Sequence, residues 1–550
     1  MKIMGRLLML VLLVGLVIYA ASANAAKNLH FFRNVAKEAG VDDNGHGKGV
    51  ILFDYDGDGR VDIFKSNKGG HNVLYHNDGN GKFTNETVKA GLWDTGFSMG
   101  SVMGDLTNDG HEDLIVAKGG RYEVDSVKVY KGLGNGKYKD VTASSGLAGY
   151  KDFTYGALLC DFDHDGKLDL FLSNYGVGKK NRLFHNESTP GHIKFRDVTR
   201  QAGLGNEYGW SWSAQAVDVN EDGWDDLYVC RGRYPAGEPN KLYLNVSTPG
   251  HIRFADYSKQ SGLDDPNWTL GATWADYDHS GHMSVYISNY VGPNRLMKGD
   301  GTGHFTDVTH FAGLDDKPDH WGKGPCWVDI NNSGYPSLYE ADCKFASQLY
   351  LNEGNGKFLN ITEQNPDCKM TAFRKKGVAC GDIYGNGSLD LYVVNWAEPA
   401  ALLKNLNVNK NWIEVDAKGT ISNMDGVGTK IRVFDAGHMG DMRHYRGMSE
   451  VQTATGFCAQ NPLTQHFGVD HRRNYDIEAV FPSGLIAYKL NVHTAQRIKM
   501  VEPRSLAMQK KLYPMALAEN GLRYPLSVAV AAPYNPGMSD VFNASACAKF

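Results

Sequence analysis

One nine-residue pattern recurs seven times along this chain, and no other feature restricts its fold as strongly. It reads DYDGDGRVD from Asp54, DLTNDGHED from Asp105, DFDHDGKLD from Asp161 and DVNEDGWDD from Asp218. It then decays to DYDHSGHMS from Asp276, DINNSGYPS from Asp329 and DIYGNGSLD from Asp382. The intervals are 51, 56, 57, 58, 53 and 53 residues, and glycine holds the sixth position of every copy. Such a period marks a repeat architecture whose units bury their cores against one another. Short aromatic and β-branched runs flank each copy, such as GVILFD before it and DLFLSN or DLYVVN after it. A third run follows (NVLYHN, NRLFHN, NKLYLN), then a fourth ahead of a glycine turn, as in IKFRDVTRQAGL. Runs bounded by Gly, Asn and Asp read as strands. Four strands in each of seven repeats predict an all-β chain built as a seven-bladed β-propeller, where radial repetition leaves only short protected edges.

The segment FFRNVAKEAGV from Phe31 carries the fourth-run pattern but precedes the first loop, while the seventh repeat lacks a fourth run. The N-terminal segment is therefore expected to supply the outer strand of the last blade, because an unpaired edge is a liability. Upstream, Lys2 and Arg6 precede an apolar run from Leu7 to Ala20 and small residues ending at Ala25. That order predicts a signal peptide over residues 1–25. The run is short for a membrane anchor, which needs about 20 residues. The chain is expected to be secreted or extracellular, or periplasmic or surface-held in a bacterium, with no transmembrane segment. The propeller is expected over 29–410, a small β-rich module over 411–503, and a tail of unassigned role over 504–550.

The loops suggest metal sites. In the first, carboxylates stand at Asp54, Asp56, Asp58 and Asp62, with the Arg60 carbonyl at position 7. The matching sets are Asp105, Thr107, Asp109, His111 and Asp113; Asp161, Asp163, Asp165, Lys167 and Asp169; and Asp218, Asn220, Asp222, Trp224 and Asp226. Oxygen ligands on alternate residues around a glycine turn suit Ca²⁺, whereas Mg²⁺ keeps more of its water. Crowded aspartates also repel one another unless a cation neutralises them. An EF-hand is excluded, because position 12 is Lys65, Val116, Leu172 or Val229 rather than a bidentate glutamate. About four calcium ions are expected, in repeats 1 to 4. Tyr384 weakens the seventh loop, and the serines of the fifth and sixth reduce those to ordinary turns.

These repeats resemble the FG-GAP/VCBS-type repeats of integrin-α-like propellers. Beyond them, NWIEVDAKGTISNMDGVGTKIRVF from Asn411, LTQHFGVD from Leu463 and IEAVFPSG from Ile477 resemble the ASPIC/UnbV module. The combined order is similar to that of the cartilage acidic protein family. The resemblance implies a secreted calcium-binding protein of adhesion or matrix type, without established catalytic residues.

A formal charge of −5 gives no basic face for nucleic acid, and 42% hydrophobic residues supply an ample core. No G-x-S-x-G elbow, P-loop, C-x-x-C-H or H-E-x-x-H motif occurs. No catalytic residue is therefore assigned, and no enzyme is expected. The expected partner is an extracellular protein or glycan. Trp210, Trp212, Trp268, Trp274, Trp321 and Trp327 are expected mainly in the core, with some lining one channel mouth to stack on sugars. A lectin-like propeller and a polysaccharide-degrading enzyme are the alternative readings, since fold does not decide function. The loop pairs His438/His444 and His466/His471 read as surface histidines.

Export permits disulfides. Cys326, Cys343, Cys368 and Cys380 cluster in the last two repeats and are expected to form two, and Cys458 and Cys547 to tie down the tail. Sequons stand at Asn85, Asn186, Asn245, Asn267, Asn331, Asn360, Asn386 and Asn543.

Overall fold

A computed structural model describes residues 29–512 apart from 121–123, 177, 206–208, 234–237, 316–319 and 371–373. The expected signal peptide, Cys547, Asn543 and most of the tail lie outside the described residues. Among those described, no helix is long and apolar enough to cross a membrane.

The chain is mostly β, with four-stranded antiparallel sheets consistent with propeller blades. Sheet 3 is typical: Thr154–Cys160, Asp169–Asn174, Arg182–Asn186 and Phe195–Asp197 pair in chain order. The equivalent first strands are Gly47–Phe53, Thr95–Gly104, Ser211–Val217, Trp268–Ala275, Gly322–Val328 and Lys375–Gly381. Sheets 1 and 2 are also joined edge to edge, where Lys68 pairs with Phe97. Each first strand touches the next in chain order, and the seventh touches the first. The fourth strand of sheet 7 is Phe32–Asn34, which pairs antiparallel with Ala401–Asn405. The N-terminal segment thus completes the last sheet as its sequence pattern predicts. The first strands are buried along almost their whole length, polar residues such as Gln215 and Lys376 included.

Residues 412–501 form a three-stranded and a four-stranded sheet. They do not stand apart from the repeats. Ile413, Val415, Ile431 and Met500 share one core with Val102, Leu106, Leu159 and Leu168 of sheets 2 and 3. The segment 453–460 descends between the first strands. Thr453 exchanges hydrogen bonds with Leu159, and Gly456 donates to Ala272. The tip is Phe457–Cys458, and Ala459 and Gln460 then return in parallel pairing with Val50 and Ile51. Cys458 takes a positive φ of 51° to make that reversal.

The two disulfides expected among Cys326, Cys343, Cys368 and Cys380 are corrected, while the expected Cys458–Cys547 tie lies outside the described residues. All seven described cysteines are buried and unbridged. Cys326 and Cys380 each donate to the Trp327 carbonyl. Cys343 lies 3.5 Å from the Lys376 ammonium, and Cys368 belongs to an apolar cluster around Tyr339. Their polar needs are met without a bridge.

Candidate metal centres

All seven loops share one backbone. The first aspartate's Oδ2 accepts from the sixth-position glycine N–H in every copy, at 2.6–3.2 Å. That glycine has φ between 77° and 90°, a left-handed conformation costly for any residue with a Cβ. The serine-bearing fifth and sixth loops keep the same turn, so aspartate and glycine at these two positions encode the turn before any ligand.

The ninth position has a separate role. Asp62, Asp113, Asp169, Asp226 and Asp390 are fully buried. Each accepts from the backbone N–H of the loop's second residue and from the N–H ending the third strand. Ser284 and Ser337 accept the third-strand N–H in their sheets. Burial raises Asp62 and Asp113 to about 8. These carboxylates pin strand ends as well as facing the loops.

Ligand atoms converge in two loops. In loop 3, one oxygen each of Asp161, Asp163 and Asp169 lie within 4.8 Å of one another, as do ligand atoms of Asp163, Asp165 and His185. Loop 1 repeats this with Asp54, Asp56 and Asp58, and with Asp56, Asp62 and His76. Asp163 is 1% exposed, and neither of its carboxylate oxygens has a hydrogen-bond partner. Burial and then the charges of Asp169 and Asp165 raise it to about 7. A buried carboxylate with no donor is costly, and a cation among these oxygens removes the cost. The oxygen-rich donor set therefore fits a hard divalent ion.

His76 and His185 carried no signal in the loop pattern. They sit one residue before the asparagine that ends the third strand. His185 Nδ1 lies 3.1 Å from Asp169 and 3.5 Å from Asp163, and its hydrogen bond to Asp169 raises its pKa.

Arg60 and Lys167 pair with Asp58 and Asp165 in loops 1 and 3 from half-exposed positions, whereas loops 2 and 4 each meet a mostly buried lysine from outside the loop. Lys131, the counterpart of His185, pairs with Asp109 in loop 2. There Thr107 replaces a carboxylate, and the His111 ring lies beside Gly134. In loop 4, Lys430 of the C-terminal module pairs with Asp218, Asn220 bonds Asp222 at 2.9 Å, and Trp224 stacks on His164. At position 7, Arg60, His111, Lys167 and Trp224 each donate a backbone N–H to the fifth-position aspartate. A lysine ammonium already neutralises part of loops 2 and 4.

In five sheets an asparagine ending the third strand ties the loop to the previous one; in sheets 2 and 5 the position is Gly132 and Gly299. Asn245 Nδ2 donates to Phe162 O of sheet 3 and Asp225 O of its own loop, both at 3.0 Å. Asn186 does the same with Leu106 and Leu168. Asn77 bridges sheets 1 and 7 through Val61 and Ile383. Asn186 and Asn245 are buried, so of the eight sequons these two have their amides committed to the bridges between sheets.

The module covers the loop face. Asp425 accepts from Asp105 N at 2.7 Å, Tyr445 donates to Asp276 at 2.6 Å, and His466 bonds Asn332 at 3.0 Å. Loop 1 instead borders a cleft of about 500 Å³ that also exposes Asp416 and Arg497. A second donor group lies in the module, where His438 and His444 stack at 3.6 Å with Asp441 beside them. Loop spacing alone did not indicate this grouping.

Comparison with known proteins follows these boundaries. The profile of the FG-GAP-like repeat matches residues 54–116, 105–172 and 161–229, each starting on a loop's first aspartate. The profile of ASPIC and UnbV matches residues 419–507. Cartilage acidic protein 1 of Mus musculus is 26% identical over 495 residues, covering 79% of this chain and 70% of that protein. The Homo sapiens protein of the same name is 24% identical over 513 residues, covering 82% and 71%. Among solved structures, YCF48 from Cyanidioschyzon merolae aligns over 68% of this chain and 98% of its own at 9% identity, with a TM-score of 0.41. The chain carries FG-GAP-like repeats and an ASPIC/UnbV domain, and it is distantly related to cartilage acidic protein 1 over most of its length.

Proposed function

We propose that the seven sheets form a seven-bladed propeller over residues 29–410, stabilised by calcium and acting as an extracellular interaction or adhesion protein rather than an enzyme. The observation that carries the calcium reading is the buried, unpartnered carboxylate of Asp163 among Asp161, Asp165 and Asp169. Those residues and the Lys167 carbonyl would hold one ion; Asp54, Asp56, Asp58, Asp62 and the Arg60 carbonyl would hold a second. Lys131 and Lys430 put loops 2 and 4 behind these two, so the reading favours two strong sites over four. A bound ion would neutralise the loop and fix the strand ends it joins, a structural role without chemistry on a substrate.

The interaction reading draws support from the relationship to cartilage acidic protein 1 and from the absence of a known catalytic motif. In this reading the leader over residues 1–25 directs export and the module over 411–503 caps the loop face. Metal analysis of purified protein tests the first part, with two calcium ions per chain expected and none overturning it. A calcium-dependent pull-down from its native surroundings tests the second, with partner retention in calcium and release by chelator expected.

A further inference from the structure

All seven first strands break their pairing at one register, six residues before the loop's first aspartate. Met99, Tyr155, Trp212 and Leu270 occupy that register in sheets 2 to 5. Lys323, Lys376 and Lys48 occupy it in sheets 6, 7 and 1, whose first strands are consecutive neighbours. A bulge re-aims a side chain out of the ladder, and here the bulges surround Phe457 and Cys458 at the tip of the inserted segment. The four apolar residues pack on that tip, and Lys323 Nζ stands 4.6 Å from the Phe457 ring. This level lies at the opposite end of the first strands from the aspartate loops.

The three lysines are 8% (Lys48), 6% (Lys323) and 5% (Lys376) exposed. Among the described residues, none of their ammonium groups has a carboxylate within ion-pair distance; their neighbours are rings and a thiol. Lys48 Nζ lies 4.1 Å from the Trp396 ring. The nearby Asp342 is committed to His320 at 2.7 Å, and Glu340 Oε1 to Ser288 and the Lys323 backbone. Gathering three ammonium groups away from water is unfavourable unless protons leave or a counter-charge joins them. Without a ligand, burial and mutual repulsion push Lys48 and Lys376 down, and an anion at the site would hold their protons on. Beside the lysines runs an arc of touching aromatic rings: Trp212–Trp268 at 5.8 Å, Trp268–Tyr290 at 4.8 Å and Tyr290–Trp321 at 4.8 Å. Tyr290 and Trp321 are only partly buried. Aromatic faces beside clustered cations match a ring-shaped ligand with an apolar face and several negative oxygens.

We propose that this mouth binds an acidic saccharide, its sulfate or carboxylate groups held by Lys48, Lys323 and Lys376 and a sugar face stacked on the Tyr290–Trp321 end of the arc. The site rests on the reading of the chain as an extracellular interaction protein and names the class of partner. Phe457 would close its floor.

Calorimetric titration of the calcium-loaded full chain tests it, with a sulfated uronate hexasaccharide, a non-sulfated uronate hexasaccharide, a neutral hexasaccharide and a polyglutamate peptide as probes. One or both acidic saccharides should bind one per chain and perturb tryptophan fluorescence; preference between them tells sulfate from carboxylate recognition. The triple Lys→Met variant at 48, 323 and 376 should weaken binding at least tenfold without lowering the melting temperature. Trp321→Ala, at a partly exposed site, should weaken it several-fold with the calcium-dependent melting shift intact. Equal binding by these variants, polyglutamate binding as tightly as the saccharides, or no binding of either acidic saccharide overturns the proposal. Loss of the calcium shift in the unmodified chain would instead count against the calcium reading alone.

Discussion

Replacing Asp163 by asparagine should stabilise the calcium-free protein and destabilise the calcium-loaded one. The carboxylate is buried and accepts no hydrogen bond, so the substitution removes charge while breaking no donor contact. Ligand oxygens of Asp161 and Asp169 lie within 4.8 Å. At an effective dielectric of ~20, each such pair costs about 3 kcal/mol. His185 at 3.5 Å returns part of that when protonated, leaving a net relief of about 2 kcal/mol. With free calcium a thousandfold above the dissociation constant, a site contributes about 4 kcal/mol by linkage. The variant without that site should then fall about 2 kcal/mol below the parent. A chain of 550 residues has an unfolding entropy of about 1.2 kcal/mol/K, so the melting temperature should shift up by ~2 °C in chelator and down by ~2 °C in calcium. Scanning calorimetry at neutral pH, in chelator and in calcium, reads both arms. Equal decreases in both conditions would mean that Asp163 is a structural carboxylate and would refute the ion site.

Four further outcomes follow from particular contacts. Asn245→Ala leaves the Phe162 and Asp225 carbonyls buried without their donor; at about 1–3 kcal/mol each, the denaturation midpoint should fall clearly, and an unchanged midpoint would remove the tie between sheets. Lys430→Met strands Asp218 without its partner and should cost about 3–5 kcal/mol, with Asp218→Asn restoring most of it in the double variant. Peptide mass mapping after expression in a glycosylating host should find Asn186 and Asn245 unmodified, while the exposed Asn85 and Asn360 are open to modification. Burial and then Lys323 push Lys376 down to about 7. Below that pH both folded and unfolded chains carry the charge and the penalty is full. Between 7 and the unfolded value near 10.5, stability should rise by up to about 1.4 kcal/mol per pH unit. Urea midpoints that keep a constant offset between parent and Lys376→Met across pH 7–9 would contradict this.

The repeat, its four strands and the exchange of Phe32–Asn34 into the last sheet were legible in the sequence because they are local. Strand runs depend on side-chain type, the turn on a glycine at positive φ, and the missing fourth run on a count along the chain. The loops' first aspartate and sixth glycine were equally legible, since both act within one turn. What each loop can hold was not. Whether His185, Lys131 or Lys430 stands beside the carboxylates depends on a residue from another strand or from the module, and nine residues of pattern contain no trace of it. The paired cysteines were misread for a similar reason, since proximity in sequence does not say which carbonyl a buried thiol meets. The asparagines ending the third strands stood in the sequence only as strand boundaries, and they bridge neighbouring sheets. The three lysines occupy one register in the sequence, but only the contact of the last sheet with the first makes them neighbours. Only the inserted Phe457–Cys458 tip makes them a walled site. Repetition along the chain thus determined the unit, and long-range packing determined which units carry charge to which face.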